Sequence, residues 1–330
     1  MNLPPLVRLL LWPLSVLYGA ATQLRTWLYA KGILRQEKLS RPVISVGNLT
    51  VGGTGKTPMV IWLAERFLAE GKRVGILSRG YKGSAGTSDE IELMKAHLQQ
   101  RAQFGVGAGR YAQGKRLEDS VDVFLLDDGF QHLQLARDVN ILLIDSSQNL
   151  ARQKMLPTGR LREPISAMAR ADLLVFTRTG TVAGTGAVVE KFEGQPVFSA
   201  ATQLLGFRRF GSASGLAQAE IGAGPFYAFC GIGNPRAFFQ DLKRWNVSLA
   251  GQCEFADHHR YDARDASELQ AAARQTGAKA LVTTEKDAQN LAGIHFEELP
   301  LHIAVMDLRI SKEAALLALI HEKLAGKFAA

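Results

Sequence analysis

Cysteine is scarce in this chain. Cys230 and Cys253 are the only two among 330 residues, and they do not form a Cys-x-x-Cys pair. A disulfide-stapled scaffold and a cysteine-built zinc site are therefore excluded, and a reducing compartment is indicated. Long hydrophobic runs are equally scarce. The best candidate, Leu9 to Leu24, is uncharged and mostly apolar, but as a helix it covers only about 24 Å, against about 30 Å of hydrocarbon core. Pro13 weakens a straight crossing further, and no small-residue cleavage site follows. Internal repeats, low-complexity tracts and recognisable nucleic-acid-binding modules are also missing, so no nucleic-acid partner is expected. Acidic residues are in deficit, 31 against 39 basic ones, giving a net charge of +8 and a pI near 9.5. That balance favours an anionic partner, and charge alone does not choose among a nucleic acid, a membrane surface and a phosphorylated substrate. With 47% hydrophobic and 21% charged residues, the composition is globular rather than disordered.

What is present is a glycine-rich turn between an apolar run and a helical pattern. Val43 to Asn48 reads as a buried strand, and Thr50-Val51-Gly52-Gly53-Thr54-Gly55-Lys56-Thr57 leads into a helix from Met59 to Glu70. In such a turn successive backbone N–H groups face an anion, and glycines let the main chain approach phosphate oxygens. The lysine would reach the β- and γ-phosphates, and the Thr57 hydroxyl would ligate the magnesium ion that bridges them. The turn is a variant P-loop, because Thr50 stands where the strict motif has its first glycine.

Apolar runs at Arg73–Ser78, Val121–Leu126, Val139–Ile144 and Leu173–Thr177 suit further strands of a parallel sheet. The expected fold is α/β: a P-loop NTPase-like, doubly wound parallel sheet over 41–180, followed by a linker around Gly180–Gly186. A second, smaller α/β domain is expected over 181–330, with strands at Pro225–Cys230, Ala280–Thr284 and Leu301–Met306 and a hairpin between Gly206 and Gly224. The segment 1–40 is expected to be a membrane-associated helix lying in the interface. Trp12, Tyr18 and Trp27 would sit at headgroup depth, with Arg8, Arg25, Lys31, Arg35 and Lys38 near anionic lipid.

Asp127 and Asp128 end an apolar strand as a Walker-B carboxylate does, and either is suited to hold magnesium. Gln131 and His132 follow in a turn, within reach of phosphates or merely structural. Asp257-His258-His259 offers an Asp-His pair for general-base chemistry or metal binding, or a structural turn. Asp89-Glu90, in the segment after the second strand, reads equally as a solvated turn. Arg79, Lys82, Arg110, Lys115, Arg116, Arg160 and Arg162 fall in segments read as loops, where guanidinium groups can clamp phosphates.

Together these motifs resemble the tetraacyldisaccharide 4'-kinase family over nearly the whole chain. The resemblance rests on the apolar amino terminus, Gly47-Asn48 with Gly52–Pro58, Ser78-Arg79-Gly80-Tyr81-Lys82, and Asp127–His132. It extends through Leu156-Pro157 with Gly159–Pro164, Gly231–Pro235, Phe255 with Asp257-His258, and Thr284–Asp287. It implies transfer of the γ-phosphate of ATP, with Mg2+, to the 4'-hydroxyl of a lipid A disaccharide 1-phosphate at the cytoplasmic face of the inner membrane. By that resemblance Asp89 paired with His258 deprotonates or orients the sugar hydroxyl, and Lys56 and Arg110 stabilise the transferring phosphoryl group. Thr57 with Asp127 or Asp128 holds magnesium, and Arg79 and Arg162 bind substrate. The anionic glycolipid and the membrane surface are the expected partners, and no protein partner is inferred.

One departure is local. The family reads Gly-Asp-Glu-Pro at the proposed base, and this chain reads Ser88-Asp89-Glu90-Ile91. The alternative reading is a membrane-associated partitioning or metal-insertion P-loop ATPase. Those proteins carry a signature lysine before the glycine pair, and this chain has Val51 there.

Overall fold

The computed structural model describes residues 4–80, 88–178, 194–211 and 224–327. Contacts divide the chain into two compact units, 1–81 with 97–201 and 309–330, and 82–96 with 202–308. Strands β7 (Val197–Arg209) and β11 (Leu301–Ile310) contribute residues to both.

In the first unit the strands β1 (Val43–Asn48), β2 (Val74–Ser78), β3 (Gln103–Val106), β4 (Val123–Asp127), β5 (Val139–Asp145) and β6 (Leu173–Thr177) stand in the order β3-β2-β4-β1-β5-β6, with β7 beyond β6. The pairings among them are parallel. β1, β2, β4 and β6 are buried along their whole length, the pattern of strands covered by helices on both faces. β1 lies between β4 and β5, so the connections leaving it and its neighbours diverge there. That topological switch point is where open α/β sheets bind ligands, at the carboxyl ends of the strands. The register sets Val46 beside Asp127 and Gly47 beside Leu142, which brings the glycine turn and the acidic strand end to one edge.

Helix α2 (Lys56–Ala69) starts at Gly55, whose φ of 87° favours glycine, and buries Met59 through Ala64 and Phe67. The last helix described, α8 (Glu313–Leu324), belongs to this unit rather than to the second domain in which the sequence reading put it. Polar pairs fix it there: Glu313 with Arg66 at 2.7 Å, His321 with Glu70 at 3.0 Å and Lys323 with Asp172 at 2.9 Å. The amino-terminal helix α1 (Pro5–Ala30) is likewise part of this unit and is longer than its apolar run. Its 26 residues extend over about 39 Å.

The second unit holds β8 (Phe226–Cys230), β9 (Leu249–Glu254), β10 (Ala280–Thr284) and β11 in the order β11-β10-β8-β9. The helices α5 (Pro235–Arg244) and α6 (Ala263–Gln275) fill the crossovers, α7 (Glu285–Gln289) follows β10, and α3 (Asp89–Leu98) supplies its first residues. Successive β8 residues go to opposite faces. Phe226, Ala228 and Cys230 pack with Phe238, Phe239 and Leu242 of α5, and Phe229 packs with Leu269 and Ala273 of α6.

Three strands escape the sequence reading. β3 is only four residues long. β9 is half-exposed and contains Gly251, and β7 runs through Gly206, where a hairpin was expected. The remainder of that hairpin, and the linker at 180–186, lie outside the described residues.

Candidate active site

The first cluster forms where β1 ends. Asn48 is fully buried, and its Nδ2 donates to the Thr50 carbonyl at 2.8 Å. Thr50 is not in a tight turn. It bridges Leu161 in antiparallel fashion, flanked by Val51 N–H to Arg160 O at 2.8 Å and Arg162 N–H to Leu49 O at 2.7 Å. This explains the missing first glycine: the backbone is extended at that point, where a β-branched residue suits it. The Arg160 guanidinium donates to the Val51 carbonyl from Nε at 3.1 Å and Nη2 at 2.8 Å. A Cβ on Gly52, with φ of 113°, would lie 2.2 Å from Arg160 Nη2. Gly52 is therefore required by its conformation, and a side chain there would push the Arg160 guanidinium off the Val51 carbonyl.

Lys56, at the start of α2, is near Asn48 Oδ1 at 3.4 Å and Asp128 Oδ1 at 3.6 Å. Arg162 Nη1 donates to both oxygens of Asp128, at 2.9 and 2.7 Å. Burial would raise the Asp128 carboxyl, but Lys56, Arg162 and Arg110 outweigh it and hold it below the usual carboxylate range. Asp128 has a φ of 48°, an uncommon conformation outside glycine. Asp127 is 5% exposed and accepts from the Ser78 hydroxyl at 3.3 Å. Thr177, ending β6, donates to the Thr54 carbonyl at 3.1 Å. Asn48, Thr50, Val51, Lys56, Asp128, Arg160 and Arg162 thus come together at the end of β1.

The neighbouring basic residues do not all lie in the loops that the sequence suggests: Arg110, Lys115 and Arg116 are helical. Arg110 is not in a loop but begins α4 (Arg110–Leu117) and is 7% exposed. Arg79 is exposed just beyond β2. Lys115 pairs with Glu118, and Lys82 lies outside the described residues. His132 is driven down to about 4 by burial and then by Arg110, Arg137, Arg25 and Arg79, so it is neutral at neutral pH.

The second cluster is entirely in the second unit. Asp89 begins α3 rather than lying in a loop. Its Oδ2 is 2.9 Å from His258 Nδ1 and accepts from Asn290 Nδ2 at 3.0 Å. Burial raises the Asp89 carboxyl, yet the bonds from Asn290 and His258 and the charges of His258 and Lys286 leave it below its ordinary value. The carboxylate accepts, so His258 Nδ1 carries the proton and Nε2 faces Lys286 Nζ at 3.5 Å. Lys286 is also 3.1 Å from Asp257.

His258 has a φ of 61°, and its N–H donates to the Gly231 carbonyl at 3.1 Å. Gly231 N–H donates in turn to Asp287 Oδ1 at 2.8 Å, as does Tyr261 OH at 2.9 Å, while the Thr284 hydroxyl donates to Oδ2 at 2.6 Å. Asp287, 1% exposed, is the hub at which the Gly231–Pro235, Asp257-His258 and Thr284–Asp287 motifs meet. His259 has a structural place, stacked on Phe255 at 4.6 Å and bonded to Asp265 at 2.8 Å. No sequence motif assigns a role to Asn290 or Lys286. Their signal is the four-residue spacing that sets them on one face of α7 and its end.

A parallel switch-point sheet with a glycine turn, Lys56-Thr57 opening a helix and an acidic neighbouring strand end define a P-loop protein, and the second unit holds a carboxylate–imidazole pair. The tetraacyldisaccharide-1-P 4'-kinase family model matches residues 7–325. Tetraacyldisaccharide 4'-kinase of Geobacter metallireducens is 40% identical over 92% of this chain and 95% of its own length. That of Geobacter sulfurreducens is 39% identical over 89% and 87%. The crystal structure of the Aquifex aeolicus enzyme LpxK with ATP superposes with a TM-score of 0.75, at 31% identity, over 96% of this chain and 99% of that one. The chain belongs to the tetraacyldisaccharide-1-P 4'-kinase family.

Proposed function

We propose that this protein transfers the γ-phosphate of ATP to the 4'-hydroxyl of tetraacyldisaccharide 1-phosphate, yielding lipid IVA in lipopolysaccharide biosynthesis. The observations that carry the reading are a phosphate loop in the first unit and, in the second, an Asp89 carboxylate that Asn290 and His258 hold below its ordinary value, in a chain of this family.

The loop amides of 52–57 and Lys56 bind the β- and γ-phosphates, and Arg110 adds positive charge where charge develops in transfer. Asp89, kept ionised, orients the acceptor hydroxyl and takes its proton, and His258 holds the carboxylate in place. Arg79 and Arg162 serve the anionic substrate.

Among the described residues no group of three or more His, Cys, Asp or Glu side chains is placed to hold a metal ion by itself. The donors present at the loop, the Thr57 hydroxyl and the Asp127 carboxylate, are hard oxygen ligands. This set fits magnesium, which keeps several waters and is held partly by substrate phosphates. Magnesium, when bound, neutralises charge on the β- and γ-phosphate oxygens. Asp128 is then left as the counter-ion of Lys56 and Arg162.

Helix α1 supports association with a membrane surface, and the use of ATP puts that surface at the cytoplasmic face of the inner membrane. Only Ser15 and Gly19 are buried in it, while Leu6, Leu9, Leu10 and Leu17 are each at least 67% exposed. A helix with small residues inward and leucines outward is inverted relative to the surface of a soluble protein and suits a lipid environment. Replacing Leu9, Leu10 and Leu17 with Glu is expected to abolish flotation with anionic vesicles. Undiminished flotation overturns the anchor.

The test of activity is transfer of labelled γ-phosphate from ATP to the disaccharide 1-phosphate in detergent micelles, comparing wild type with Lys56→Ala. Transfer by wild type alone supports the reading. A folded, ATP-binding wild type that transfers nothing overturns it.

A further inference from the structure

Helix α1 touches the first unit through polar contacts. Ser15, 5% exposed, donates from Oγ to the Met155 carbonyl at 3.2 Å, accepts from the Thr158 N–H at 3.1 Å and lies 2.8 Å from the Thr158 hydroxyl. One turn on, a Cβ on Gly19 would lie 3.7 Å from the Met155 side chain, so the helix sits close against this segment.

The segment is closed upon itself. Leu156 N–H donates to Leu161 O, Leu161 N–H to Lys154 O and Gly159 N–H to Met155 O, all at 2.9 Å. These bonds make the segment a single braced piece, and its other contacts are with the phosphate loop. Leu161 bridges Thr50, Arg160 holds the Val51 carbonyl with two bonds, and Arg162 holds Asp128. A second, smaller route runs parallel: Arg25 of α1 donates to the Gln131 carbonyl at 3.1 Å, and Gln131 Nε2 donates to the Asn48 carbonyl at 2.9 Å.

We propose that residues 154–163 form a strap that transmits the seating of α1 to the phosphate loop, with Arg160 as the residue that positions Val51 and Gly52 for nucleotide. The helix proposed to meet lipid and the loop proposed to hold ATP are thereby one mechanical unit. Ser15 and Thr158 are its outer joint and Arg160 its inner one. The inference rests on the reading of the loop as the ATP site.

It is tested on the full chain in detergent with a fluorescent ATP analogue, alongside hydrogen exchange at the Val51 amide. Arg160→Ala is expected to raise the Kd about tenfold, the scale of losing a charge-assisted pair of hydrogen bonds, with Arg160→Lys recovering part of the loss. The joint variant Ser15→Ala with Thr158→Val is expected to raise it about threefold, and to speed exchange at Val51 while β10 amides keep wild-type protection. KM for ATP is expected to rise in both with KM for the lipid acceptor unchanged. Equal Kd and equal Val51 exchange in wild type and the joint variant overturn the strap. Loss of protection in β10 as well reduces the effect to general destabilisation and overturns it too. A folded wild type that does not bind the analogue removes the nucleotide reading itself, an outcome distinct from unchanged variants.

Discussion

The phosphate loop and the Asp89–His258 dyad are held by different means. The loop is short-range and mostly main chain, with Asn48, Thr50, Val51, Gly52 and Lys56 consecutive or nearly so, braced by Arg160 and Arg162. The dyad joins residues 169 positions apart, and its stiffness comes from a buried carboxylate, Asp287, that gathers three donors from three segments. A main-chain cradle is set mostly by local backbone conformation, with Arg160 and Arg162 as its braces, whereas a dyad on a buried polar hub depends on every partner of that hub.

The largest effects separate the two sites by what each binds. Lys56→Ala is expected to lower phosphoryl transfer about a thousandfold and to weaken ATP binding. Asp89→Ala is expected to lower transfer by about 10²–10⁴-fold, the range of a lost general base, with ATP affinity near wild type. Isothermal titration with ATP beside the transfer assay decides. Loss of ATP affinity in Asp89→Ala would place that residue at the nucleotide and erase the contrast.

Next in size is the hub. Asp287→Ala leaves Gly231 N–H and the Tyr261 and Thr284 hydroxyls without their acceptor, each costing about 1–3 kcal/mol when buried. Urea denaturation is expected to show about 3 kcal/mol or more lost by the second unit, with the ATP-binding transition little changed. Asp287→Asn keeps an acceptor oxygen and is expected to lose far less. Equal losses in the two variants would show that the site works by packing alone.

Smaller, but specific to chemistry, is Asn290→Ala. Burial pushes the Asp89 carboxyl up, and the Asn290 bond is the first of the contacts opposing it. Removing that bond is expected to move the acid limb of the kcat/KM profile to higher pH while KM for ATP stays constant. An unmoved limb would remove Asn290 from the set that tunes the base.

Legibility in the sequence follows the same division. The phosphate loop, Asp127-Asp128 and the buried strands β1, β2, β4, β5 and β6 were readable because each is a local pattern: an apolar run, a glycine turn, an acid at a strand end. β3 and β9 were not, since a short strand and a half-exposed one carry weak periodicity. The Asp89–His258 pairing was unreadable from spacing, because nothing local connects the two positions, and it came only with the family resemblance. Asn290 and the double bond from Arg160 to Val51 depend on where a short helix and a closed loop fall in space. Arg160 was visible as a loop arginine, but its acceptor is a backbone carbonyl rather than a phosphate.

The smallest effect sets one carboxylate from each unit against the other through the pH dependence of stability. The Asp122 carboxyl in the first unit is held down to about 2, chiefly by its hydrogen bond from Arg73, against the opposing effect of burial. Between that value and the ordinary one near 3.8 the unfolded chain binds more protons, so this group stabilises the fold above the window and its contribution fades as pH falls through it. Asp287 works in the opposite sense. Burial raises its carboxyl despite the bonds from Thr284, Gly231 and Tyr261, so above 3.8 the native state holds the extra proton and stability declines as pH rises toward the folded value. Asp122→Asn is expected to flatten the acid side of the stability curve slightly, since the pair is partly exposed and screened. Asp287→Asn is expected to flatten the decline at higher pH. The differences from wild type in urea midpoint for the two variants should therefore change in opposite directions as pH rises from 3 to 7; a shared direction would mean that burial does not raise the Asp287 carboxyl.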